Sequence, residues 1–467
     1  MAVVRNVVTS WLLVSVGLSL APVVLAEEAS DRIQPWSENA WYWQYQGKPV
    51  LLLGGSDDDN LFQLPNLEAH LDDMAAAGAN YIRNTMSDRR DRGFEVYPFA
   101  QRPDGKYDLN EWNQEYWDRF ANLLQWTKER DIIVQIEVWD RFDYSRENWT
   151  GNPWNPKNNV NYTSEESGLA TEYPNHPGRN EQPFFFTTPE QHHNEVLLPI
   201  QKRFVQKMLD HALEYPNVLF CMDNETNGEE AWGKYWAEFI QQEADRRGVE
   251  VFQTEMWDNW DLSHEEHRRT FDHPERYRFV DVSQNNHQKG QTHWDNFQWT
   301  RKYLSDHPRP INTVKTYGAD GNKFGHSNRD GLERFFRHVL GGAASARFHR
   351  PESGLGFSRP AENAIRSARK LEARIPMWEV EPAEQLLRSR EENEAYVAAD
   401  PGKKYALYFP DGGEIELNLT NQSSEFTVTW INAETAEEQP GDSIAGNRWV
   451  RLAPPGNGHW LAAVTAK

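Results

Sequence analysis

The sequence has 467 residues, of which 38% are hydrophobic and 26% are charged, and its formal net charge is −22. This length and composition exclude an intrinsically disordered chain and allow one large domain together with a smaller one. The acidic balance argues against binding to nucleic acid or to an anionic membrane. The 20 Trp and 17 Tyr offer flat rings that stack on sugars, although we expect about half of the Trp in the core.

The first predicted element is a secretory signal peptide over residues 1–26. Arg5 precedes an apolar stretch from Val7 to Val24, and the residues up to Ala26 fit signal-peptidase cleavage. Ser, Gly and Pro interrupt this stretch, which favours a cleaved signal over a membrane anchor. The single cysteine, Cys221, excludes an internal disulfide. We therefore predict a secreted or periplasmic protein that does not contact the membrane after cleavage.

From about Gln34 to Met377, short apolar runs alternate with amphipathic stretches, which predicts repeated β-α units. The predicted strands 1 to 8 are Val50–Gly54, Asn80–Met86, Ile132–Trp139, Val218–Met222, Val249–Thr254, Phe279–Ser283, Ile311–Thr316 and Ala343–Phe348. Helices are predicted between them over Leu67–Ala77, Tyr116–Glu129, Leu198–Glu214, Ala231–Arg247 and Gly331–Leu340. The pattern indicates an α/β protein with a (β/α)₈ TIM barrel over residues 27–385. A doubly wound open sheet is the alternative, but no Gly-rich phosphate loop follows strand 1.

Two further segments complete the predicted organisation. The longest insertion, about residues 141–190, follows strand 3 and is rich in Asn, Pro and aromatic residues. Loops after barrel strands form the active face, so we expect this one to shape a substrate cleft, a decorative loop being the alternative. Residues 386–467 show short alternating strands punctuated by turns, which predicts a small C-terminal antiparallel β-sandwich. We expect it to pack against the barrel; binding of sugars is the alternative.

Polar side chains gather at the predicted C-terminal ends of the strands, where TIM barrels carry their chemistry. Hydrolysis of a glycosidic bond requires one carboxyl group to protonate the leaving oxygen and another to attack or to activate water. Glu225 directly follows strand 4, so burial is expected to raise its pKa and suit it to general acid/base work. The neighbouring Asn224 is predicted to bond a sugar hydroxyl. An Asn-Glu pair can also cap a helix, which is the structural alternative.

The stretch Tyr215-Pro216-Asn217-Val218-Leu219-Phe220 running into Asn224-Glu225 resembles strand 4 of clan GH-A, a large clan of TIM-barrel glycosidases whose acid/base Glu lies in an Asn-Glu pair. Gly78-Ala79-Asn80-Tyr81-Ile82-Arg83 resembles the second strand of that clan and its active-site Arg. Gly47-Lys48-Pro49 and the strand at Trp460 are similar to the two ends of apiosidase-type glycoside hydrolases. The mature chain also resembles a group of secreted bacterial proteins that share Asp-Asn-Glu-Thr, Ser-Gln-Asn-Asn-His and Arg-Phe-His-Arg-Pro. The resemblance implies a glycoside hydrolase with Glu225 as its acid/base.

The sequence departs from the clan at strand 7. The clan carries its nucleophilic Glu at the end of that strand, whereas Val314-Lys315-Thr316-Tyr317-Gly318 has no carboxylate here. We predict that Glu255, at the end of strand 5, supplies the second carboxyl group, with Glu352 as the next choice and Asp57 or Asp58 after it. The structural alternative for Glu255 is an ion pair with Arg or Lys.

Ten further residues near the strand ends are predicted to bind substrate: Asp58, Arg83, Asn224, Trp257, Asn285, His287, Lys315, Tyr317, Arg347 and His349. The strand ends also gather the cations Arg83, Lys315, Arg347, His349 and Arg350. Arg matches carboxylate or sulfate, which suggests an anionic plant or algal polysaccharide or its oligosaccharides. Ion pairs with Glu137, Asp140, Glu255 and Glu352 are the alternative. Asp57–Asp59 could ligate Ca²⁺, but loops rich in Asp are commoner as turns and caps. His192-His193 and His264/His267 lack a convincing ligand set, so we predict no metal and no cofactor.

Three functions remain open on the sequence. The first is a glycoside hydrolase that uses Glu225 and Glu255. The second is a polysaccharide lyase, in which a His, Tyr or Lys removes a proton beside a uronate. The third is a non-catalytic glycan-binding barrel, which the missing strand-7 carboxylate makes credible.

Overall fold

The computed structural model describes Met1 and residues 31–86, 89–90 and 92–467, so the predicted signal peptide lies outside the described residues apart from Met1. Eight short parallel strands in this part of the chain surround a common axis: β1 Leu52–Gly55, β2 Tyr81–Thr85, β3 Ile133–Asp140, β4 Val218–Asn224, β5 Gln253–Thr254, β6 Val280–Asp281, β7 Ile311–Asn312 and β8 Ser345–Phe348. Parallel ladders join β2 to β5 in chain order, and β6 to β7. The last strand pairs with the first, from Ser345 opposite Leu52 to Phe348 opposite Gly55. This pairing closes the barrel and confirms the predicted fold class.

Each barrel strand is followed by a helix, and two additional short helices lie in the loop after β3. In chain order the helices are α1 Leu67–Ala76, α2 Gln114–Glu129, α3 Arg146–Gly151, α4 Ser164–Ser167, α5 Leu197–Ala212, α6 Glu230–Arg247, α7 Glu265–Phe271, α8 Gly290–Tyr303, α9 Asn328–Gly341 and α10 Arg359–Arg374. No helix of the described residues combines the length and the apolar character that crossing a bilayer requires.

A polar chain of hydrogen bonds fills the barrel interior. Tyr81 donates its hydroxyl to Gln135 Oε1 at 2.6 Å, and Asn312 donates to the Tyr81 oxygen at 2.9 Å. Trp43 donates its indole N–H to Asn312 Oδ1 at 2.9 Å. Trp43 belongs to a three-stranded antiparallel sheet of Gln34–Pro35, Trp43–Tyr45 and Lys48–Val50. Side chains thus fill the barrel interior at the end that the three-stranded sheet covers. Open space remains at the opposite end, where the barrel strands have their C-terminal ends.

The C-terminal part forms two antiparallel sheets. Its strands are β9 Glu381–Pro382, β10 Leu387–Arg388, β11 Tyr396–Asp400, β12 Lys404–Phe409, β13 Ile415–Asn418, β14 Glu425–Asn432, β15 Glu438–Pro440, β16 Ile444–Ala445, β17 Trp449–Leu452 and β18 Trp460–Ala466. One sheet has the order β9-β11-β12-β18-β14-β15, with β16 also on β14, and the other has the order β10-β13-β17. The predicted limit between residues 385 and 386 stays a prediction.

Side-chain alternation along the strands of the larger sheet gives it two buried faces. Leu407 and Phe409 of β12 pack between the two sheets, whereas Ala406 and Tyr408 belong to the core of the barrel. The ring of Tyr408 lies 5.0 Å from the ring of Phe336 in α9. The sandwich therefore packs on the helix layer of the barrel.

Candidate active site

A cavity of about 780 Å³ opens at the C-terminal ends of the barrel strands. Residues of the long insertion after β3 contribute to its wall, among them Phe142, Arg146 and His176, and the segment after β7 contributes Lys323 and Phe324. The charged side chains of the wall are the carboxylates Asp59, Glu225, Asp258 and Glu352 and the cations Arg89, Arg146, Lys315, Lys323 and Arg350. This concentration of charge in one concave space makes the cavity the candidate active site.

Glu225 projects into this cavity from the end of β4. Its φ is +45°, a conformation that few residues other than glycine adopt and that recurs at functional sites. Its Oε1 lies 2.7 Å from Lys315 Nζ and also accepts the hydroxyl hydrogen of Tyr317. Lys315 is 2% exposed and the Glu225 side chain is 15% exposed. The ion pair is therefore largely shielded from water, while the carboxylate still reaches the cavity.

The pKa of Glu225 moves in the direction opposite to our expectation. Burial alone would raise it, as the sequence suggested, but the charge of Lys315 and the hydrogen bonds from Lys315 and Tyr317 outweigh burial. The pKa of Glu225 thus lies well below its ordinary value, and this carboxyl group is ionised at neutral pH. A permanently ionised carboxylate is suited to act as nucleophile or base rather than as general acid.

Asn224 holds the lysine in place. Its side-chain oxygen accepts a hydrogen bond from Lys315, and its Nδ2 donates to Asp140 Oδ2 at 2.9 Å. Asp140 also lies 3.2 Å from Arg89 Nη2. Asn224 lines the cavity as predicted, but both ends of its amide already have protein partners.

Asp258 is another carboxyl group of the cavity wall. Backbone hydrogen bonds of 2.8 Å run from Thr226 N to Met256 O and from Asp258 N to Thr226 O. They bind the chain after β4 to the chain after β5, so Glu225 and Asp258 are carried on adjacent segments. Burial, followed by repulsion from the charge of Glu225, raises the pKa of Asp258 to about 7. This carboxyl group retains its proton over much of the physiological pH range.

Glu255, our predicted second carboxyl group, does not line the cavity. It is buried, and its Oε1 accepts hydrogen bonds from the backbone N–H of Asp223 at 2.8 Å and of Met256 at 3.3 Å. Its other oxygen lies directly beside Gly233 of α6. Successive side chains of an extended segment point to opposite sides, so residues 255 and 258, an odd number apart, face opposite ways. The expectation that Glu255 faces Glu225 therefore conflicts with the structure.

Five other predicted substrate-binding residues also lie outside the cavity wall. Trp257 donates its indole N–H to Thr270 of α7 at 2.7 Å, and Asn285 donates to the backbone oxygen of His293 at 2.9 Å. Asp58 is buried and faces Arg92 Nε at 3.1 Å. The immediate or near neighbours Asp59, Gln284 and Asp258 line the cavity in their place.

The remaining two, Arg83 and Arg347, are fully buried beneath the cavity. Arg83 Nε lies 2.6 Å from Glu137 Oε2, and its Nη1 pairs with Asp59. Arg347 donates to the backbone oxygen of Val314 at 2.5 Å and to Ser56. The Arg83–Glu137 contact agrees with the alternative of ion pairs, whereas Arg347, within the described part of the chain, makes none of the ion pairs that this alternative names. Complete burial removes both Arg83 and Arg347 as contacts for an anionic substrate.

Asp59 forms ion pairs both with a buried cation and with cations of the cavity wall. Besides Arg83, it faces Arg350 Nε at 3.2 Å, His349 Nδ1 at 3.6 Å and Arg89 Nη1 at 3.8 Å. Burial tends to raise its pKa, but these cations outweigh burial and hold the pKa of Asp59 well below its ordinary value. Asp59 is therefore an ionised anchor for the cations of the wall and has no proton to give.

Aromatic rings form part of the cavity mouth. Trp260 is 50% exposed and Phe324 is 44% exposed. The ring of Trp260 stacks on that of His287, with 4.2 Å between centroids and an angle of 17°. Burial lowers the pKa of His287 to about 4, so this ring is neutral at pH 7. The predicted residues His287, Lys315, Tyr317 and His349 line the cavity. The long insertion also lines it, as expected, although no residue of the insertion, nor Trp260 or Phe324, was among the predicted site residues.

Among the described residues, no three His, Cys, Asp or Glu side chains converge as ligands for a metal ion. The sequence matches no family model and no curated protein.

Solved structures show what fold this chain shares. A glycoside hydrolase family 5 protein from Bacteroides vulgatus ATCC 8482 superposes with a TM-score of 0.62 at 11% sequence identity, over 94% of this chain and 94% of that chain. Another structure, described as a glycoside hydrolase, gives a TM-score of 0.63 at 10% identity, over 94% and 97% of the two chains. A noncanonic maltogenic α-amylase from Thermotoga neapolitana gives 0.51 at 10% identity, over 89% and 99%. The likeness covers the barrel and the C-terminal sheets, and at these identities what is shared is the fold.

Proposed function

We propose that this chain, which shares its fold with glycoside hydrolases, is itself a glycoside hydrolase with Asp258 as general acid and Glu225 as the ionised partner. The observation that carries the proposal is the pair of carboxyl groups in one cavity with pKa values displaced in opposite directions. Two titratable groups separated in this way divide the acid and base roles between them. Glu225 keeps the catalytic position that the sequence indicated but loses the acid role, and Asp258 replaces Glu255 as its partner.

The proposed reaction follows from the protonation states of the two groups. Asp258 transfers its proton to the glycosidic oxygen as the bond to the anomeric carbon breaks. Glu225 supplies the electron pair, either by attacking that carbon or by taking a proton from an attacking water. Lys315 and Tyr317 fix the orientation of the Glu225 carboxylate and keep it ionised. Asp258 is left ionised by its proton transfer. If Glu225 has bonded to the carbon, Asp258 takes a proton from a water molecule whose oxygen attacks that carbon as the bond to Glu225 breaks. If Glu225 has instead taken a proton from the attacking water, it releases that proton to solvent and Asp258 regains one from solvent.

The substrate that we propose is a plant or algal polysaccharide, or its fragments, processed outside the cytoplasm. The aromatic mouth supports a sugar substrate, because Trp260 and Phe324 expose rings that a folded protein usually covers. The predicted signal peptide supports an extracytoplasmic site of action.

A non-catalytic glycan-binding barrel is the second candidate, and one observation favours it. Lys315 neutralises Glu225 from the position where clan GH-A carries its nucleophile, so the cavity has an ion pair where the clan has two carboxylates. A lyase has less support. Burial raises the pKa of Tyr317 well above its ordinary value, and its hydroxyl already donates to Glu225, which makes it a poor base.

Incubation of the purified chain with a panel of plant and algal polysaccharides tests the proposal. We expect new reducing ends from at least one polymer, and none from the Glu225→Gln variant. Products that absorb in the ultraviolet as unsaturated sugars would instead identify a lyase. Binding without release of any product would identify a non-catalytic barrel.

A further inference from the structure

Two cations at the cavity mouth differ from the other charges of the wall. Arg89, Lys315 and Arg350 each face a carboxylate within 3.5 Å. Arg146 and Lys323 are exposed, and in the described part of the chain neither is ion-paired. Each is instead placed over an aromatic ring of the same wall. The Arg146 guanidinium lies 5.8 Å from the ring centre of Phe142, and Lys323 Nζ lies 4.9 Å from that of Phe324.

These cations come from opposite sides of the barrel. Arg146 begins α3 in the loop after β3, and Lys323 lies between β7 and α9. Strands three and seven of a closed eight-stranded barrel are half a turn apart, so the two loops approach each other across the cavity. His176, from the loop after β3, lines the same cavity as both cations, and its ring lies 5.3 Å from the ring of Phe142, over which Arg146 is placed. After burial, the charges of Arg146 and Lys323 lower the pKa of His176. Glu225 lines the same cavity, and its charge raises the pKa of His176.

His176 also has a donor to offer. Its Nδ1 accepts a hydrogen bond from the backbone N–H of Gly178 at 3.1 Å, so the proton of the neutral ring resides on Nε2. Two unpaired cations and one N–H donor thus face a shared space in a protein whose net charge is −22. Like charges repel one another, and an anion between them would remove that repulsion.

We propose that Arg146, His176 and Lys323 form a subsite for the negatively charged group of an anionic glycan, a carboxylate or a sulfate, bound next to the sugar that is cleaved. The inference rests on the proposed function and specifies its substrate class. Arg146 can bind either group with a pair of parallel N–H donors, and Lys323 adds a second positive charge. The aromatic rings beneath the cations present stacking faces to the sugar that carries the charge.

Binding to matched polymers tests the subsite. The probes are polygalacturonate and its fully methyl-esterified form, and a sulfated galactan and the same galactan after desulfation. The full chain carries Asp258→Asn so that turnover does not consume the polymers, and affinity is measured at low ionic strength to limit screening. We expect one acidic polymer to bind about tenfold more tightly than its neutral form, as two partly exposed ion pairs allow. The pair that shows the preference distinguishes carboxylate from sulfate.

The variant Arg146→Gln/Lys323→Gln is expected to lose this preference and to bind the neutral polymer unchanged. The matched control is Arg268→Gln/Lys302→Gln, which removes two exposed cations that do not line the cavity. Thermal unfolding of both variants establishes that they are folded. The proposal is overturned if neither acidic polymer is preferred, if no acidic polymer binds, or if the Arg146/Lys323 variant behaves like the control.

The two proposals fail separately. A charge preference that depends on Arg146 and Lys323, without hydrolysis of any polymer by the wild-type chain, would retain the subsite and reject the hydrolase. Hydrolysis of neutral and acidic polymers at equal rates would retain the hydrolase and reject the subsite.

Discussion

The amino group of Lys315 lies 2.7 Å from the carboxylate of Glu225, inside the cavity and just after β7. The resemblance to clan GH-A led us to look for a second carboxylate in this stretch of chain. A lysine here has the opposite electrostatic effect, because it stabilises the ionised form of Glu225 where a carboxylate would destabilise it. In the proposed reaction the proton donor is Asp258, the cavity carboxyl group whose surroundings favour the protonated form.

Comparison of Glu225→Gln with Glu255→Gln separates the reacting carboxylate from the buried one. We expect Glu225→Gln to lower kcat by about 10³-fold or more, since an amide neither attacks carbon nor takes a proton at neutral pH. Burial and the neighbouring Asp223 raise the pKa of Glu255 well above its ordinary value, so an amide replaces a neutral acid there. Glu255→Gln should keep a kcat close to that of wild type and change the free energy of unfolding by less than about 1 kcal/mol. Steady-state kinetics that show the larger loss for Glu255→Gln would reverse our assignment.

The effect of Asp258→Asn should depend on the leaving group. A general acid contributes about 10²- to 10⁴-fold to the departure of a sugar alcohol, which needs a proton. A dinitrophenolate leaves without protonation, so dinitrophenyl glycosides should retain most of their kcat/KM in this variant. Equal losses on natural oligosaccharides and on dinitrophenyl glycosides would show that Asp258 is not the acid.

The pH profile of kcat/KM should report Asp258 on its alkaline side. The reactive form has Asp258 protonated, so activity should fall as the pH rises through about 7. The ionised form of Glu225 is also required, and its lowered pKa places the acid limb far below the alkaline one. Asp258→Asn should abolish the alkaline limb near pH 7 in the residual activity.

Lys315→Met should shift the acid limb of the kcat/KM profile, as Asp258→Asn should change its alkaline limb. Burial favours the neutral form of Glu225, and without the lysine charge this effect is opposed only by weaker contacts such as the Tyr317 hydroxyl. The pKa of Glu225 should rise, and the acid limb of kcat/KM should move to higher pH. An unchanged acid limb would mean that Glu225 is not the group that must be ionised.

Trp260→Ala should weaken binding of the sugar rather than the chemical step. Loss of a stacking face costs about 0.5–1.5 kcal/mol, which corresponds to a KM roughly two- to tenfold higher at an unchanged kcat. Tyr303→Ala serves as the control, because Tyr303 is also an exposed aromatic residue, 38% exposed, but does not line the cavity. A parallel fall in kcat would instead indicate that Trp260 positions the reacting groups.

Three of the errors in the predicted site share one physical cause. Trp257, Asn285 and Asp58 were chosen at the right strand ends, yet Asp258, Gln284 and Asp59 line the cavity. Each residue of the wall is an immediate neighbour of the one chosen, and adjacent side chains point in different directions, in the extended chain at Trp257 and Asp258 as in the 3₁₀ turn Ser283–His287. A sequence locates the end of a strand to within a residue or two. Because a shift of one residue is enough to turn a side chain to the other face, this precision does not show which side chains face the cavity.

The linear sequence by itself determined the barrel, its C-terminal sandwich, the edge that carries the polar residues and the position of Glu225, because these depend on hydrophobic periodicity along the chain. Tertiary structure alone decided which side chains face the cavity and which protonation state Glu225 holds. Both depend on groups far apart in sequence, above all Lys315, which lies 90 residues from the carboxylate whose charge it stabilises. Electrostatic interactions fall off with distance in space, so they are fixed only when folding brings such groups together.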